Sequence, residues 1–212
     1  GVIDKNYVFQ RMQEFTSGIN RANKATSYVV QIMSRQSKLL ELLKKANSNT
    51  LYSSLRLDDR KALSLCLISL SYPITYDLLI ALSQGFKVQS QINKKFISEK
   101  VKSIYGSNRT VDIAIDALLP MIIELNTIKR EKVSIYSIGT KLVIASKFVS
   151  EIIIYTDIKL SGSKSILFDE LSFKPWYAYF EISSSIVDKF NILISKKDSA
   201  VGKGYLTLIN LK

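Results

Sequence analysis

Apolar residues recur every three to four positions through most of the chain and alternate near its end. That pattern predicts a mainly α protein with a small C-terminal β-hairpin appendage. Helices are expected over 4–17 and 22–46, parted by Ser17-Gly18. In the second, Ala25, Tyr28, Val29, Ile32, Met33, Leu39, Leu40, Leu42 and Leu43 form an apolar stripe, and "NSNT" at 47–50 reads as a loop. A helix follows from about Asp58 to Ser71, with Asp58 and Asp59 suited to its N-terminal dipole. Pro73 forces a boundary, and "ITYDLLIALSQGF" gives another helix that ends near Gln84-Gly85.

Residues 88–104 read as a basic amphipathic helix. Val88, Ile92, Phe96, Ile97, Val101 and Ile104 share one face, with Lys94, Lys95, Lys100 and Lys102 largely off it. After Gly106, Ser107 stands where an N-cap belongs. The next helix places Val111, Ile115, Leu118, Leu119, Ile122 and Leu125 along one side, with a kink or early end expected at Pro120. "IKREKVSIYSI" then reads as a short hairpin, with Lys129, Arg130, Glu131 and Lys132 at its tip and Val133, Ile135 and Ile138 alternating. Helix, short turn, helix and basic hairpin is the order of a winged helix-turn-helix.

A further helix is expected at about 140–158, then a Gly/Ser loop at 161–165. "KFNILISKK" and "GYLTLINL" supply the C-terminal hairpin. The expected organisation is an N-terminal helical region (1–54), the winged helix-turn-helix domain (55–138), and a C-terminal helix with a small β subdomain (139–212).

Charge changes the picture. The 212 residues carry 30 Lys and Arg against 18 Asp and Glu, a net +12. Such an excess favours a polyanionic partner, double-stranded DNA first among them. The N-terminal residues of a recognition helix meet base edges in the major groove. Here those are Asn108, Arg109 and Thr110; arginine pairs with guanine and asparagine with adenine. Ser103, Ser107 and the free N–H groups of the helix start would hold phosphate. Lys100, Lys102, Lys129, Arg130 and Lys132 would supply the salt-dependent attraction. Asp112 and Asp116 weigh against this, since they would repel phosphate if they faced the duplex. The alternative is a scaffold that docks other proteins. A peripheral membrane helix is a third reading, which 88–104 only half satisfies.

Other chemistry is poorly supplied. There is no histidine, the commonest general base and zinc ligand, and the single cysteine, Cys66, reads as a small buried apolar residue. No Gly-rich phosphate loop occurs. "YTDIK" at 155–159 offers Asp157 and Lys159, with Glu151 upstream, as a weak metal-nuclease match. A non-enzymatic protein without cofactor or metal is expected. "KPWYAYF" at 174–180 reads first as a hydrophobic plug, and otherwise as a stacking platform for single strands or a protein hot spot. The two most apolar regions, 62–82 and 142–158, carry charges or proline. Neither gives the about 18 uninterrupted apolar residues of a membrane span. No secretory signal is visible, and with no disulfide framework a cytoplasmic location is expected.

"GSNRTVDIAIDALLPMIIELNTIKREK", followed by a helix and then "FDELSFKPWYAYFEI", resembles the small A-type accessory proteins of bacterial BREX phage-defence systems. The resemblance covers about residues 55–210. It implies a helical winged-helix protein that binds DNA, works with other proteins of its system and has no enzymatic role. Arg109 and Thr110 are the positions it carries over.

Overall fold

The computed structural model describes residues 3–46, 52–183, 190–199 and 202–209. The chain folds as two compact units, Gly1–Asn49 and Thr50–Lys212.

In the first unit, Asp4 opens α1 (Lys5–Gln13): its carboxylate accepts from the Asn6 and Tyr7 N–H groups at 2.9 and 3.1 Å, two of the donors a helix start leaves free. α1 packs on α2 (Ile19–Arg35). Gln36 interrupts the run before α3 (Ser37–Ala46), so the single helix expected over 22–46 is two, and the first starts at Ile19. Ala22, Thr26 and Leu39 are buried. The loop expected at 47–50 lies outside the described residues.

In the second unit, α4 (Leu57–Ser71) and α5 (Ile74–Phe86) meet at Pro73 with a bend of 117°. Among the described residues no single helix is long and apolar enough to cross a membrane. Only this bent pair carries that much apolar length, and its Leu63, Leu65, Leu78, Leu79 and Leu82 are buried. α5 is the spine of the unit, packing on α4 and on the helices and strands that follow. It ends at Phe86, next to the expected Gln84-Gly85. A Cβ at Gly85 would lie 2.8 Å from Ile92 and 2.9 Å from Phe96, so glycine here lets the next elements sit close.

Those elements are β1 (Gln91–Asn93), α6 (Lys94–Tyr105), α7 (Arg109–Glu124), β2 (Ile128–Lys132) and β3 (Ile135–Ile138). The three strands form an antiparallel sheet of order β1-β3-β2. The helix expected from residue 88 therefore begins six residues late. Gln91–Asn93 instead joins β3, with Ile92 opposite Tyr136, and the Asn93 side chain caps α6 through the Phe96 N–H at 2.8 Å. α7 runs on through Pro120 rather than ending there. It stops at Asn126, which takes the left-handed conformation (φ 62°) that a glycine cap would otherwise supply. The Thr127 hydroxyl then donates to the Ile122 carbonyl at 2.6 Å. At the far end of the hairpin, Gly139 lies against this exit: a Cβ there would fall 2.0 Å from the Asn126 carbonyl oxygen, so no side chain fits.

The helix expected at 140–158 is a strand and a later helix. β4 (Leu142–Ile144) pairs in parallel with β6 (Phe180–Ile182), and α8 runs from Lys147 to Ser161. Asp58 accepts from the Val143 N–H at 3.0 Å, and Asp59 from Ala145 and Ser146 at 3.1 Å each. The two aspartates at the start of α4 thus also anchor the entry to α8. β5 (Ser165–Leu167), β7 (Ile194–Lys197) and β8 (Tyr205–Leu208) form an antiparallel sheet of order β5-β8-β7; the expected C-terminal hairpin is present, with β5 added to its β8 edge. The aromatic segment is a buried plug. The Trp176 indole N–H donates to the Ile153 carbonyl at 3.0 Å, and the Tyr179 hydroxyl to the Leu79 carbonyl at 2.7 Å, tying α8 and α5 together. The domain boundary expected at 138/139 falls inside this second unit, whose α4 packs on both α8 and β4. The protein is mostly helical with a few small strands.

Candidate nucleic-acid interface

The turn between α6 and α7 is residues 106–108, with Gly106 at φ 86°, a conformation that suits glycine. Asn108, not Ser107, is the N-cap of α7. Its side-chain oxygen accepts from the Val111 N–H at 3.1 Å. Both residue types cap well, and the glycine turn decides which one stands at the helix start. The cap also occupies the oxygen that a two-bond contact to adenine would use. Ser107, Arg109 and Thr110 are exposed around this end of the helix.

Both aspartates of α7 are engaged by α6. Asp112 pairs with Lys102 at 2.7 Å and accepts from the Ser98 hydroxyl at 2.8 Å; Asp116 pairs with Lys94. All three partners belong to α6. The acids are helix-to-helix ties, and Lys102, expected at phosphate, is committed to one of them. The Lys102 ammonium, helped by the Ser98 hydroxyl, holds the Asp112 carboxyl below its ordinary value of 3.8. A carboxyl lowered on folding adds stability above its unfolded value and loses it as pH falls through the folded one. The α6–α7 tie is therefore expected to persist at neutral pH and to weaken below pH 3.8. An NMR titration of the Asp112 carboxyl should find a midpoint under 3.8 that Lys102→Ala moves upward. An unmoved midpoint would remove Lys102 as the cause.

The remaining cations are free of such ties. Among the described residues, Arg109, Lys129, Arg130 and Lys132 have no carboxylate partner, and Lys100 stands 5.8 Å above the Phe96 ring. The hairpin carries its charge differently from the expectation. Its tip is Val133-Ser134, with Ser134 at φ 61°, and Lys129, Arg130, Glu131 and Lys132 lie along β2. β2 is an edge strand, exposed from Lys129 onward. A bulge between Arg130 and Lys132 sets Lys129 opposite Ser137 and Lys132 opposite Ile135. Ser137 and Ile135 are two apart on β3, so the bulge brings both lysines to one face of the sheet. That is the face away from buried Ile92 and Tyr136. Arg130 lies opposite Tyr136, on the other face, but stays exposed at the edge. The tip is held to α6 by the Lys94 N–H, which donates to the Ser134 carbonyl at 2.8 Å.

One feature of the surface was not anticipated from the sequence. The outer face of α7 is apolar: Ile113, Ala117, Pro120 and Met121 are exposed, as is Ile104 at the end of α6. The signal was available, since Ile113 falls outside the buried stripe of Val111, Ile115, Leu118, Leu119 and Ile122.

The other candidates do not assemble into a site. Asp157 is buried, accepts from the Tyr76 hydroxyl at 2.6 Å and pairs with Lys174, while Lys159 is exposed on the same helix. Glu151 is buried beneath backbone N–H groups. Among the described residues no group of three or more His, Cys, Asp or Glu side chains is placed to hold a metal ion. Burial pushes the Cys66 thiol up to about 12, which leaves it unreactive at neutral pH. Trp176, Tyr177 and Tyr179 are buried, so "KPWYAYF" offers no stacking platform.

The described residues form a mostly helical protein in which the exposed start of α7 and the exposed edge strand β2 carry cations without carboxylate partners. No protein-family model matches the chain, and neither does any curated protein or solved structure.

Proposed function

We propose that residues 55–138 form a winged helix-turn-helix that binds double-stranded DNA. In this reading α6 is the supporting helix, α7 enters the major groove by its N-terminal end, and β2–β3 is the wing beside the phosphates. One observation carries it. Both acids of α7 are paired with lysines of α6, while Arg109 at the exposed helix start and Lys129, Arg130 and Lys132 on the exposed edge strand have no carboxylate partner. Arg109 and Thr110 contact base edges; Ser107 and the free N–H groups at the start of α7 hold phosphate. Asn108 serves the helix start first. On the resemblance to the A-type BREX accessory proteins, this binding belongs to a bacterial phage-defence system, in the cytoplasm, without chemistry of its own and alongside other proteins of that system.

Duplex binding followed by fluorescence anisotropy tests this. Arg109→Ala is expected to weaken binding by about 1–3 kcal/mol, the usual worth of an arginine reading guanine. Wild-type protein that fails to bind duplex at 50 mM salt, a condition that favours charge-driven association, would end the proposal.

A second reading is protein docking by the same face. The observation favouring it is the exposure of Ile113 (58%), Ala117 and Met121 along the outer side of α7, an apolar strip that a partner could cover. Docking through them would survive high salt, whereas duplex binding would not.

A further inference from the structure

α7 presents three faces. Val111, Ile115, Leu118, Leu119 and Ile122 are buried in the core. Asp112 and Asp116 tie the second face to α6. The third, outward face carries Thr110, Ile113 and Ala117 in its first half, and Pro120 and Met121 beyond. After Arg109 and Thr110, this face offers no hydrogen-bonding side chain until Glu124, at the last residue of the helix.

A helix with such a face cannot read a groove through hydrogen bonds along its length. The amino groups of cytosine and adenine and the carbonyl of guanine would lose water against Ile113 or Ala117 and gain no partner, which is unfavourable. The C5-methyl of thymine is the one group on the major-groove floor that gains by meeting an aliphatic side chain. Seven residues separate Thr110 from Ala117, about 10 Å at 1.5 Å per residue. That matches about three base-pair steps of 3.4 Å. Arg109, which opens this face without a carboxylate partner, and the net charge of +12 suit a polyanionic occupant rather than a neutral protein groove.

We infer that α7 reads its target through thymine methyl groups: the preferred site is a run of about three base pairs rich in thymine, next to a base pair that Arg109 contacts. This rests on the duplex-binding reading above. Thr110 (through its methyl), Ile113 and Ala117 are the specificity-determining residues, and Arg109 fixes the register.

The test begins with selection of preferred duplexes from a random pool by the full chain. The selected duplex is then compared with the same sequence carrying deoxyuridine for thymidine, which removes only the C5-methyl groups. Burying a methyl is worth about 0.8 kcal/mol, so each one lost should weaken binding about fourfold, and the whole site tenfold or more. Ile113→Ala should shrink the ratio between the two duplexes. Ile113 is exposed, so the substitution leaves the core untouched. Enrichment of thymine-rich sites, a tenfold preference for thymidine and its reduction by Ile113→Ala would establish the inference. Equal binding of the two duplexes, with Arg109→Ala still weakening both, would overturn the thymine reading and leave DNA binding standing. Failure to bind either duplex, with capture of a protein through Ile113 instead, would overturn both.

Discussion

Replacing Lys129, Arg130 and Lys132 together by glutamine is expected to lower duplex affinity by about three and a half decades at 50 mM salt and about two at 200 mM, with little change in fold. The size follows from counterion release. Each phosphate neutralised adds about −0.9 to the slope of log affinity against log salt, so three lost contacts flatten it by about 2.7. Between 50 and 200 mM that slope alone is worth about 1.6 decades, which is why the deficit shrinks as salt rises. The fold should tolerate the change because all three side chains are exposed on an edge strand. Glutamine is preferred to alanine for a specific reason. Charges on an unpaired edge also keep one sheet from pairing with another, and alanine would remove the charge and the polar bulk together. Edge protection is the serious rival explanation of this strand. A triple variant that binds DNA with an unchanged salt slope but associates in solution would assign the charges to edge protection and take the wing out of the interface.

How far the sequence discloses such a surface depends on how local each cause is. The stripe that buries Val111, Ile115, Leu118 and Ile122 is set by spacing along one helix, and so is the boundary at Pro73; both are legible. So is the C-terminal hairpin, where alternation and a glycine-bearing turn agree. β1 is not legible. Three residues that continue an amphipathic helical pattern become a strand because Tyr136, 44 positions on from Ile92, supplies the pairing. Asp112 and Asp116 could be recognised as acids on a supposed recognition helix, but not as partners of Lys102 and Lys94, since that depends on how closely α6 and α7 approach. The bulge that aligns Lys129 with Lys132 has no signature in "IKREK" beyond its charge. What was legible, then, was the set of residues. Their facing, which decides whether the acids oppose DNA or merely tie two helices, was not.

Glu151→Ala is expected to destabilise the second unit by about 3–5 kcal/mol, the largest stability effect foreseen for a single side chain here. Glu151 projects from the second turn of α8 and is fully buried. Its carboxylate collects four successive backbone donors: Asn191 at 3.1 Å on one oxygen, and Ile192, Leu193 and Ile194 at 2.8, 2.6 and 3.1 Å on the other. These N–H groups belong to the chain entering β7. Leu193 and Ile194 are themselves fully buried, so truncation would orphan at least two donors out of reach of water, at about 1–3 kcal/mol each, beside a new cavity. Glu151→Gln is the sharper probe. It keeps the volume but replaces one acceptor oxygen with an amide that cannot accept from an N–H. Whichever way the amide turns, part of the set is lost, and about 2–4 kcal/mol should go with it. Against a total stability of about 5–15 kcal/mol for an ordinary domain, either change should free β7 and β8 well before the rest unfolds. Denaturant melts would give the loss, and hydrogen exchange at the Leu193 and Ile194 amides would locate it. A glutamine variant within 1 kcal/mol of wild type, with those amides still protected, would mean that β7 is held by its own sheet and that the buried charge contributes little.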